Sequence, residues 1–124
     1  MGIKIETISA ITLKVVCMET AVEFYRDVLG MKILYGGPGA AFSSLQMHGK
    51  EYPILNLETG RPETNWGRMI FQVADVDSSW RHFKEKGFEP ERPQDASWGE
   101  RYFHMRDPDG HELSFARRLQ APAQ

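Results

Sequence analysis

Several features are scarce in this chain of 124 residues, and each absence narrows the class of protein. Cys17 is the single cysteine, which excludes an internal disulfide framework and a cysteine-based zinc site. No apolar run approaches the ~18 residues of a membrane span, and nothing resembles a signal peptide. The formal net charge is only −2, which gives no reason to expect nucleic acid or an anionic membrane as the main partner. We therefore expect a soluble, cytoplasmic, single-domain protein.

One order of secondary structure is indicated twice along the chain. Residues 9–16 alternate apolar and polar side chains, as a half-buried strand does, and apolar residues at helical spacing follow at 21–29. The same change of period recurs within residues 68–88, and Gly30 and Gly87 follow the two helical stretches. Further short strands follow each copy. The pattern predicts a duplicated βαβββ unit in one domain. Its parts are repeat one at about 8–60, repeat two at about 66–117 and a tail at 118–124.

Side chains near the ends of these elements carry specific expectations. Glu19 or Thr20 is expected to open the first helix, and Asp77 is expected to cap the second. His111, in the turn of "RDPDGHELSF", is expected to be exposed to solvent. Cys17 follows the first strand and is expected to be a small packed residue.

The alternation within each strand predicts which face of a sheet a side chain occupies. Apolar residues of one parity should pack under the helices, and the opposite parity should line a concave cleft. The second set mixes polar and aromatic side chains, which is typical of a small-molecule site. Its members include Phe42, Asn56, Glu58, Arg68, Gln72, Tyr102, His104, Glu112 and Ser114.

Two segments, "AVEFYRDVLGMKIL" and "YFHMRDPDGHELSF", resemble the vicinal oxygen chelate superfamily, which holds glyoxalase I, bleomycin-resistance proteins and extradiol dioxygenases. The resemblance covers the chain from about Ile8 to Ala116. It implies an α+β fold in which tandem βαβββ repeats form a curved, cleft-shaped mixed sheet with helices on the outer face. The fold alone does not imply an activity, because it carries both enzymes and binding proteins.

The resemblance also identifies the positions that hold a metal in metal-dependent members. Those members carry His, Glu or Gln on the first strand of each repeat and an acid on the last, and the matching positions here are Ala10, Asn56, Arg68 and Ser114. Alanine has no donor atom, and an arginine cation repels a divalent metal. Asparagine and serine are weak neutral ligands. No cofactor is therefore predicted.

A displaced metal site is the alternative. Shifting each strand by two residues keeps the parity and offers Glu58, His104 and Glu112 in the same cleft. Two carboxylates and a histidine are a plausible set of ligands, so a divalent metal is possible there.

Three cleft residues have competing interpretations. Arg68 could hold a carboxylate, phosphate or phenolate of a ligand, or it could form an internal ion pair with Glu58 or Glu112. His104 and Glu112 are the catalytic candidates if the protein is an enzyme, with a packed histidine and a solvated carboxylate as the plainer interpretations.

Two tryptophans lie in loops that each precede a strand. Trp66 and Trp98 are each followed by glycine, and a loop tryptophan at the rim of a cleft can stack on a planar ligand. Packing on a partner subunit is an equally good explanation.

The resemblance and the missing metal ligands together favour a small-molecule binding protein. We expect a homodimer that sequesters an antibiotic or a toxic metabolite, planar or partly anionic. Its expected ligand-binding residues are Phe42, Asn56, Trp66, Arg68, Gln72, Trp98, Tyr102 and Ser114.

The competing class is an enzyme of the lyase, isomerase or dioxygenase type. It would use either the displaced metal or a metal-free mechanism with His104 or Glu112 as general base and Arg68 stabilising an enolate. A small accessory partner of a larger enzyme is a third possibility.

Overall fold

The computed structural model describes residues 2–120 and divides into two compact units. Unit 1 is Met1–Glu63 and unit 2 is Thr64–Gln124. Residues 121–124 of the predicted tail lie outside the described residues. No helix within the described residues is long and apolar enough to cross a membrane.

Each unit contains one copy of the predicted βαβββ order. Unit 1 consists of β1 (Ala10–Val15), α1 (Met18–Val22) continued by a π-helical segment (Glu23–Val28), β2 (Lys32–Tyr35), β3 (Phe42–Gln46) and β4 (Ile54–Thr59). Unit 2 consists of β5 (Arg68–Gln72), α2 (Val76–Glu85), β6 (Gln94–Ala96), β7 (Glu100–Arg106) and β8 (Glu112–Arg118). The order of elements confirms the predicted duplication.

The two sheets share one topology. In unit 1 the strand order is β1-β4-β3-β2, with β1 parallel to β4 and the other pairs antiparallel. In unit 2 the order is β5-β8-β7-β6, with β5 parallel to β8 and the other pairs antiparallel. First and last strands of each repeat therefore run side by side, so residues far apart in sequence become neighbours.

Aromatic packing fixes the helix side of unit 2. The ring of Phe83 on α2 lies 4.8 Å from Phe115 and 6.0 Å from Phe103, measured between ring centroids. Phe71 stacks on Phe115 at 5.5 Å. These residues have the apolar parity predicted for β5, β7 and β8, which confirms that face of the sheet.

Unit 1 buries its core in the same way with smaller side chains. Leu13, Leu45 and Leu57 are buried on three adjacent strands. Phe24 and Tyr25 of the π-helical segment are also buried and meet edge to face at 5.0 Å.

Both predicted helix starts are wrong. The first helix begins at Met18, and Cys17 precedes it without a side-chain capping hydrogen bond. Asp75, not Asp77, caps α2, because its carboxylate accepts the backbone N–H of Ser78 at 3.0 Å. Aspartates two residues apart both suit a cap, and only the backbone conformation decides between them.

Cys17 is exposed rather than packed, which corrects a second expectation. Hydrogen bonds from the hydroxyl and backbone of Thr20 hold the pKa of this thiol below its usual value. The predictions for the C-terminal ends of the two helices agree with the structure. Gly30 and Gly87 have φ angles of 77° and 91°, as glycines that follow a helix do.

Candidate functional site

The candidate site lies on the face of each sheet opposite its helix, which we call the open face. In unit 2, Leu113 and Phe115 are buried on the helix side, so Glu112 and Ser114 point to the open face by alternation. Ser114 is itself buried, so on β8 burial alone does not separate the two parities. The open face of unit 2 carries Arg68, Gln72, Tyr102, His104, Glu112 and Ser114.

One row of this face consists of three charged residues. Glu112 lies between Arg68 on β5 and Arg106 on β7 in the strand register. Glu112 accepts a hydrogen bond from Arg106 at 3.4 Å, and Arg106 also donates to the Gly110 carbonyl at 2.7 Å. Arg68 forms no ion pair within the described part of unit 2. The predicted pair of Arg68 with Glu112 is therefore wrong, because the Gly110 carbonyl anchors the competing guanidinium.

The next row places a histidine against a serine. His104 Nδ1 lies 2.5 Å from Ser114 Oγ across β7 and β8. A hydroxyl can donate or accept, so this contact orients the imidazole in either tautomer. Nε2 of His104 makes no hydrogen bond among the described residues of unit 2, and Ile70 completes the row on β5. The row therefore offers a polar atom beside an apolar surface.

An aromatic pair forms the other end of the open face. The indole of Trp98 is 67% exposed and stacks on Tyr102 with 5.9 Å between centroids and an interplanar angle of 23°. Its Nε1 donates to Glu100 Oε1 at 3.2 Å. Tyr102 in turn contacts the ring of His104 at 5.1 Å. These rings make an exposed stacking surface next to the polar row.

An arginine on the helix side holds the hairpin that carries Trp98. Arg101 donates two hydrogen bonds to the Asp77 carboxylate, at 2.8 and 2.9 Å, and one to Asp95 at 2.9 Å. This ion pair keeps the pKa of Asp77 below its usual value and raises the pKa of Arg101. It ties β6 and β7 to the first turn of α2.

Trp66 makes a different contact from Trp98. Its indole Nε1 donates to Nδ1 of His111 at 3.2 Å. His111 is only 1% exposed, so the expectation of a solvent-exposed turn residue is wrong. The carboxylate of Asp107 accepts the backbone N–H groups of Asp109 and His111, each at 2.9 Å, which closes the turn at the start of β8. Sequence spacing alone does not show where the imidazole points.

A cavity of 580 Å³ opens beside the charged row. The segment after α2 runs along β7 here, since Glu91 N–H donates to the His104 carbonyl at 3.0 Å. Sequence reasoning missed this segment because it has no periodic pattern. The lining residues are Gly87, Phe88, Glu89, Glu91, His104, Met105, Arg106 and Glu112.

The polar side chains on the open face of unit 1 form hydrogen bonds and an ion pair with one another. Ser44 donates to Asn56 Oδ1 at 2.7 Å, and Asn56 Nδ2 donates to Thr12 at 3.3 Å. Lys14 pairs with Glu58 at 3.0 Å. At the edge, the predicted binding residue Phe42 contacts Tyr35, with ring centroids 6.5 Å apart.

The residues at the expected metal positions do not fit a metal. Ala10 has no donor atom, and Arg68 is a cation. The side chains of Asn56 and Ser114 are engaged with Ser44 and His104. Neutral oxygens already held by neighbours are poor ligands for a divalent ion.

The displaced metal site is not confirmed either. Glu58 forms its ion pair with Lys14 in unit 1, whereas His104 and Glu112 line the cavity of unit 2. Among residues 2–120 no group of three or more His, Cys, Asp or Glu side chains is placed to hold a metal ion.

A tandem βαβββ fold with one open face in each repeat defines the class of fold, and sequence comparison identifies the family. The family model of the Glyoxalase/Bleomycin resistance protein/Dioxygenase superfamily matches residues 7–115. The chain belongs to this superfamily.

Individual relatives are more distant. The chain is 27% identical over 114 residues to YraH of Bacillus subtilis (strain 168), covering 80% of this chain and 88% of YraH. The antibiotic-binding protein TnmS3 of Streptomyces sp. CB03234 has a similar structure, with a TM-score of 0.77, 21% identity, and coverage of 94% of this chain and 99% of TnmS3. Lactoylglutathione lyase of Agrobacterium tumefaciens gives a TM-score of 0.75 at 19% identity, covering 91% and 94%. At these identities the structural likeness shows the fold alone.

Proposed function

We propose that this protein is a metal-free binding protein for a planar, partly anionic small molecule, such as an antibiotic or a toxic metabolite. It would act in the cytoplasm as a homodimer. The single observation that carries the proposal is the charged row of unit 2. In this row Glu112 forms an ion pair with Arg106, and Arg68 forms no ion pair in the described part of the unit. The guanidinium group of an arginine on an open face is suited to bind an anionic group of a ligand through two parallel hydrogen bonds.

The aromatic surface supports the planar part of the proposal. Trp98 and Tyr102 lie on the same open face as Arg68, two strands and about four residues away, which corresponds to about 16 Å between the Cα atoms of Tyr102 and Arg68. A rigid molecule of two or three fused rings with a terminal acid would reach from the stacked rings toward the guanidinium. His104 Nε2 lies between them and suits a hydrogen bond to a ring substituent.

The side chains at the metal positions support binding over metal-assisted chemistry. Without a Lewis acid on these residues, a bound molecule is held and oriented but its carbonyl groups are not polarised by a metal. TnmS3, whose fold this chain shares, is an antibiotic-binding protein, which makes sequestration a reasonable biological role.

The test compares two probes that differ only in charge. Isothermal titration would measure the affinities of a fused-ring aromatic carboxylate and of its amide for the wild type, Arg68→Met and Lys14→Met. Lys14 is the matched control, because it is an open-face cation already paired with Glu58.

We expect wild type and Lys14→Met to prefer the carboxylate, and Arg68→Met to lose that preference. The loss should be about 2 kcal/mol, since hydrogen bonds to charged groups contribute about that much. Equal preference in all three proteins would contradict the role of Arg68, and no binding of either probe would contradict the ligand class.

A second candidate function is metal-free proton abstraction, favoured by the way Ser114 orients His104 beside the cavity. In this version His104 or Glu112 is the base and Arg68 stabilises the enolate. Deuterium uptake next to the carbonyl of an aryl pyruvate in D₂O would report it. Loss of exchange by orders of magnitude in His104→Ala supports an enzyme, whereas modest affinity loss without exchange supports the binding protein.

A further inference from the structure

A second arginine on the open face of unit 2 faces an acid with which it does not pair. Arg118, the last residue of β8, lies opposite Glu100 of β7 in the strand register. Facing residues of an antiparallel pair have Cα atoms about 4.5–5.5 Å apart, and opposite charges at that separation stabilise the pair. Within the described part of unit 2, however, Arg118 forms no ion pair and no side-chain hydrogen bond. The register therefore permits an ion pair that the structure does not form.

The indole of Trp98 accounts for the missing ion pair. Its Nε1 donates a hydrogen bond to Glu100 Oε1 at 3.2 Å, and its ring stacks on Tyr102, two residues further along β7. The stacking fixes the position of the indole, and the hydrogen bond fixes the carboxylate against it. The Glu100 carboxylate is thereby held at Trp98, and the guanidinium of Arg118 is left without it.

A cavity of 400 Å³ opens beside Arg118, and we call it the Ala116 cavity. Ala116 is only 3% exposed, and its small side chain leaves room between the longer side chains around it. Ile70, which is 64% exposed, supplies an apolar wall, and Gln72 adds an amide. An apolar wall with an amide and a cation that has no partner is suited to bind an acidic group of a small molecule.

We propose that Arg118 binds a second acidic group of the ligand in the Ala116 cavity, and that Trp98 is a positioning residue whose N–H holds Glu100 away from Arg118. This inference rests on the proposed function, because it takes the planar part of the ligand to stack on Trp98 and Tyr102. Arg118 is a diagonal neighbour of Tyr102, about 7–8 Å away, whereas Arg68 lies about 16 Å away in the opposite direction along the sheet. The ligand class is therefore a planar diacid with its acidic groups at opposite ends of a fused-ring system.

The two arginines differ in how strongly they attract an anion. The acid opposite Arg68 is Glu112, whose charge is compensated by Arg106. The acid opposite Arg118 is Glu100, which is held by an uncharged indole N–H and so keeps its full negative charge nearby. A ligand with one acidic group should therefore place it at Arg68. A second acidic group on the same rigid molecule then reaches Arg118 at high effective concentration, so it alone reports on the Ala116 cavity.

The first test compares a naphthalene dicarboxylate, with its acids at opposite ends, and the monoamide of the same molecule. Isothermal titration would give the ratio of the two affinities for the wild type, Arg118→Met and Arg117→Met. Arg117 is the matched control, because this neighbouring cation donates to the Val73 carbonyl at 3.4 Å. We expect wild type and Arg117→Met to favour the diacid about fivefold, as an exposed ion pair allows, and Arg118→Met to bind both probes equally. An unchanged ratio in Arg118→Met would overturn the inference.

The second test isolates the N–H of Trp98 from its ring. Trp98→Phe keeps an aromatic ring but frees the Glu100 carboxylate to pair with Arg118, so the preference for the diacid should disappear. The double variant Trp98→Phe/Glu100→Gln should regain it, because the competing carboxylate is gone. Weaker stacking lowers the affinity of both probes alike and leaves their ratio unchanged, so a role in stacking alone predicts no loss of preference. A preserved ratio in Trp98→Phe, or no recovery in the double variant, would overturn the role of Trp98.

The same titrations separate this inference from the proposed function. A carboxylate preference that depends on Arg68, without any preference for the diacid, would overturn the inference and leave the proposed function standing. Binding of neither probe would overturn both.

Discussion

The two repeats present open faces of the same topology but of different chemistry. In unit 1 the polar side chains satisfy one another, with Lys14 on Glu58 and Asn56 between Ser44 and Thr12. In unit 2 one row has two arginines for one glutamate, and Arg68 remains without an ion pair in the described part of the unit. The duplicated fold therefore keeps one strand topology while the side chains of its open faces differ.

The difference also extends to the geometry of the exposed aromatic side chains. Unit 1 offers Tyr35 and Phe42 in a tilted contact at its edge, whereas unit 2 offers Trp98 stacked nearly flat on Tyr102. A stacked aromatic pair on the same face as an arginine without an ion pair is better suited to bind a planar anion than a face whose polar groups already hydrogen-bond with one another. We therefore expect the binding energy to come mainly from unit 2.

The largest expected effect follows from removing the support beneath the open face of unit 2. Phe83→Ala should lower the free energy of unfolding by about 3–5 kcal/mol, because the ring packs against Phe103 and Phe115 and its loss leaves a cavity. Urea denaturation followed by circular dichroism would measure it. Phe42→Ala, at the exposed start of β3 in unit 1, is the control and should cost less than about 1 kcal/mol. Similar losses in both variants would mean that the aromatic core does not support unit 2.

A smaller effect is expected from the stacking surface itself. Trp98→Ala should weaken binding of the aromatic carboxylate by about 1.5 kcal/mol, close to tenfold, through loss of stacking. Tyr35→Ala in unit 1 is the matched control and should leave the affinity within twofold. If titration calorimetry instead shows the larger loss for Tyr35→Ala, the ligand lies on unit 1 and the comparison is reversed.

The smallest effect concerns the ion pair that holds the Trp98 hairpin. Arg101→Met should lower the free energy of unfolding by about 1 kcal/mol near neutral pH, since the pairs are partly exposed. Arg101 keeps the folded-state pKa of Asp77 below its usual value of 3.8, so this stabilisation is present above that pH and is lost as pH falls through the lower folded pKa. The difference between wild type and variant, measured by thermal melts, should therefore shrink on acidification. A difference that grows toward low pH would show that the Arg101–Asp77 pair is not its source.

Strand periodicity was sufficient to predict the two faces of each sheet. On β1, for example, Leu13 and Val15 are buried whereas Thr12 and Lys14 are exposed, and this alternation depends only on neighbouring residues. The duplicated order of elements was predictable for the same reason, because each element carries its own period.

The sequence did not show which of two possible partners a side chain would contact. Strand register puts Arg68 and Arg106 on either side of Glu112, and only the Gly110 carbonyl makes Arg106 its partner. The burial of His111 likewise depends on Trp66, 45 residues earlier in the chain. Such outcomes depend on tertiary contacts that no sequence pattern records.

The most direct test of the central claim is the metal content of protein purified without chelator, combined with thermal shifts on adding nickel, zinc, iron(II) and manganese under reducing conditions. We predict substoichiometric metal and no shift with any of the four ions, because the side chains at the metal positions are Ala10, Asn56, Arg68 and Ser114. Near-stoichiometric metal, or a clear stabilisation by one ion, would contradict the metal-free binding protein and move Glu58, His104 and Glu112 to the centre of an enzyme mechanism.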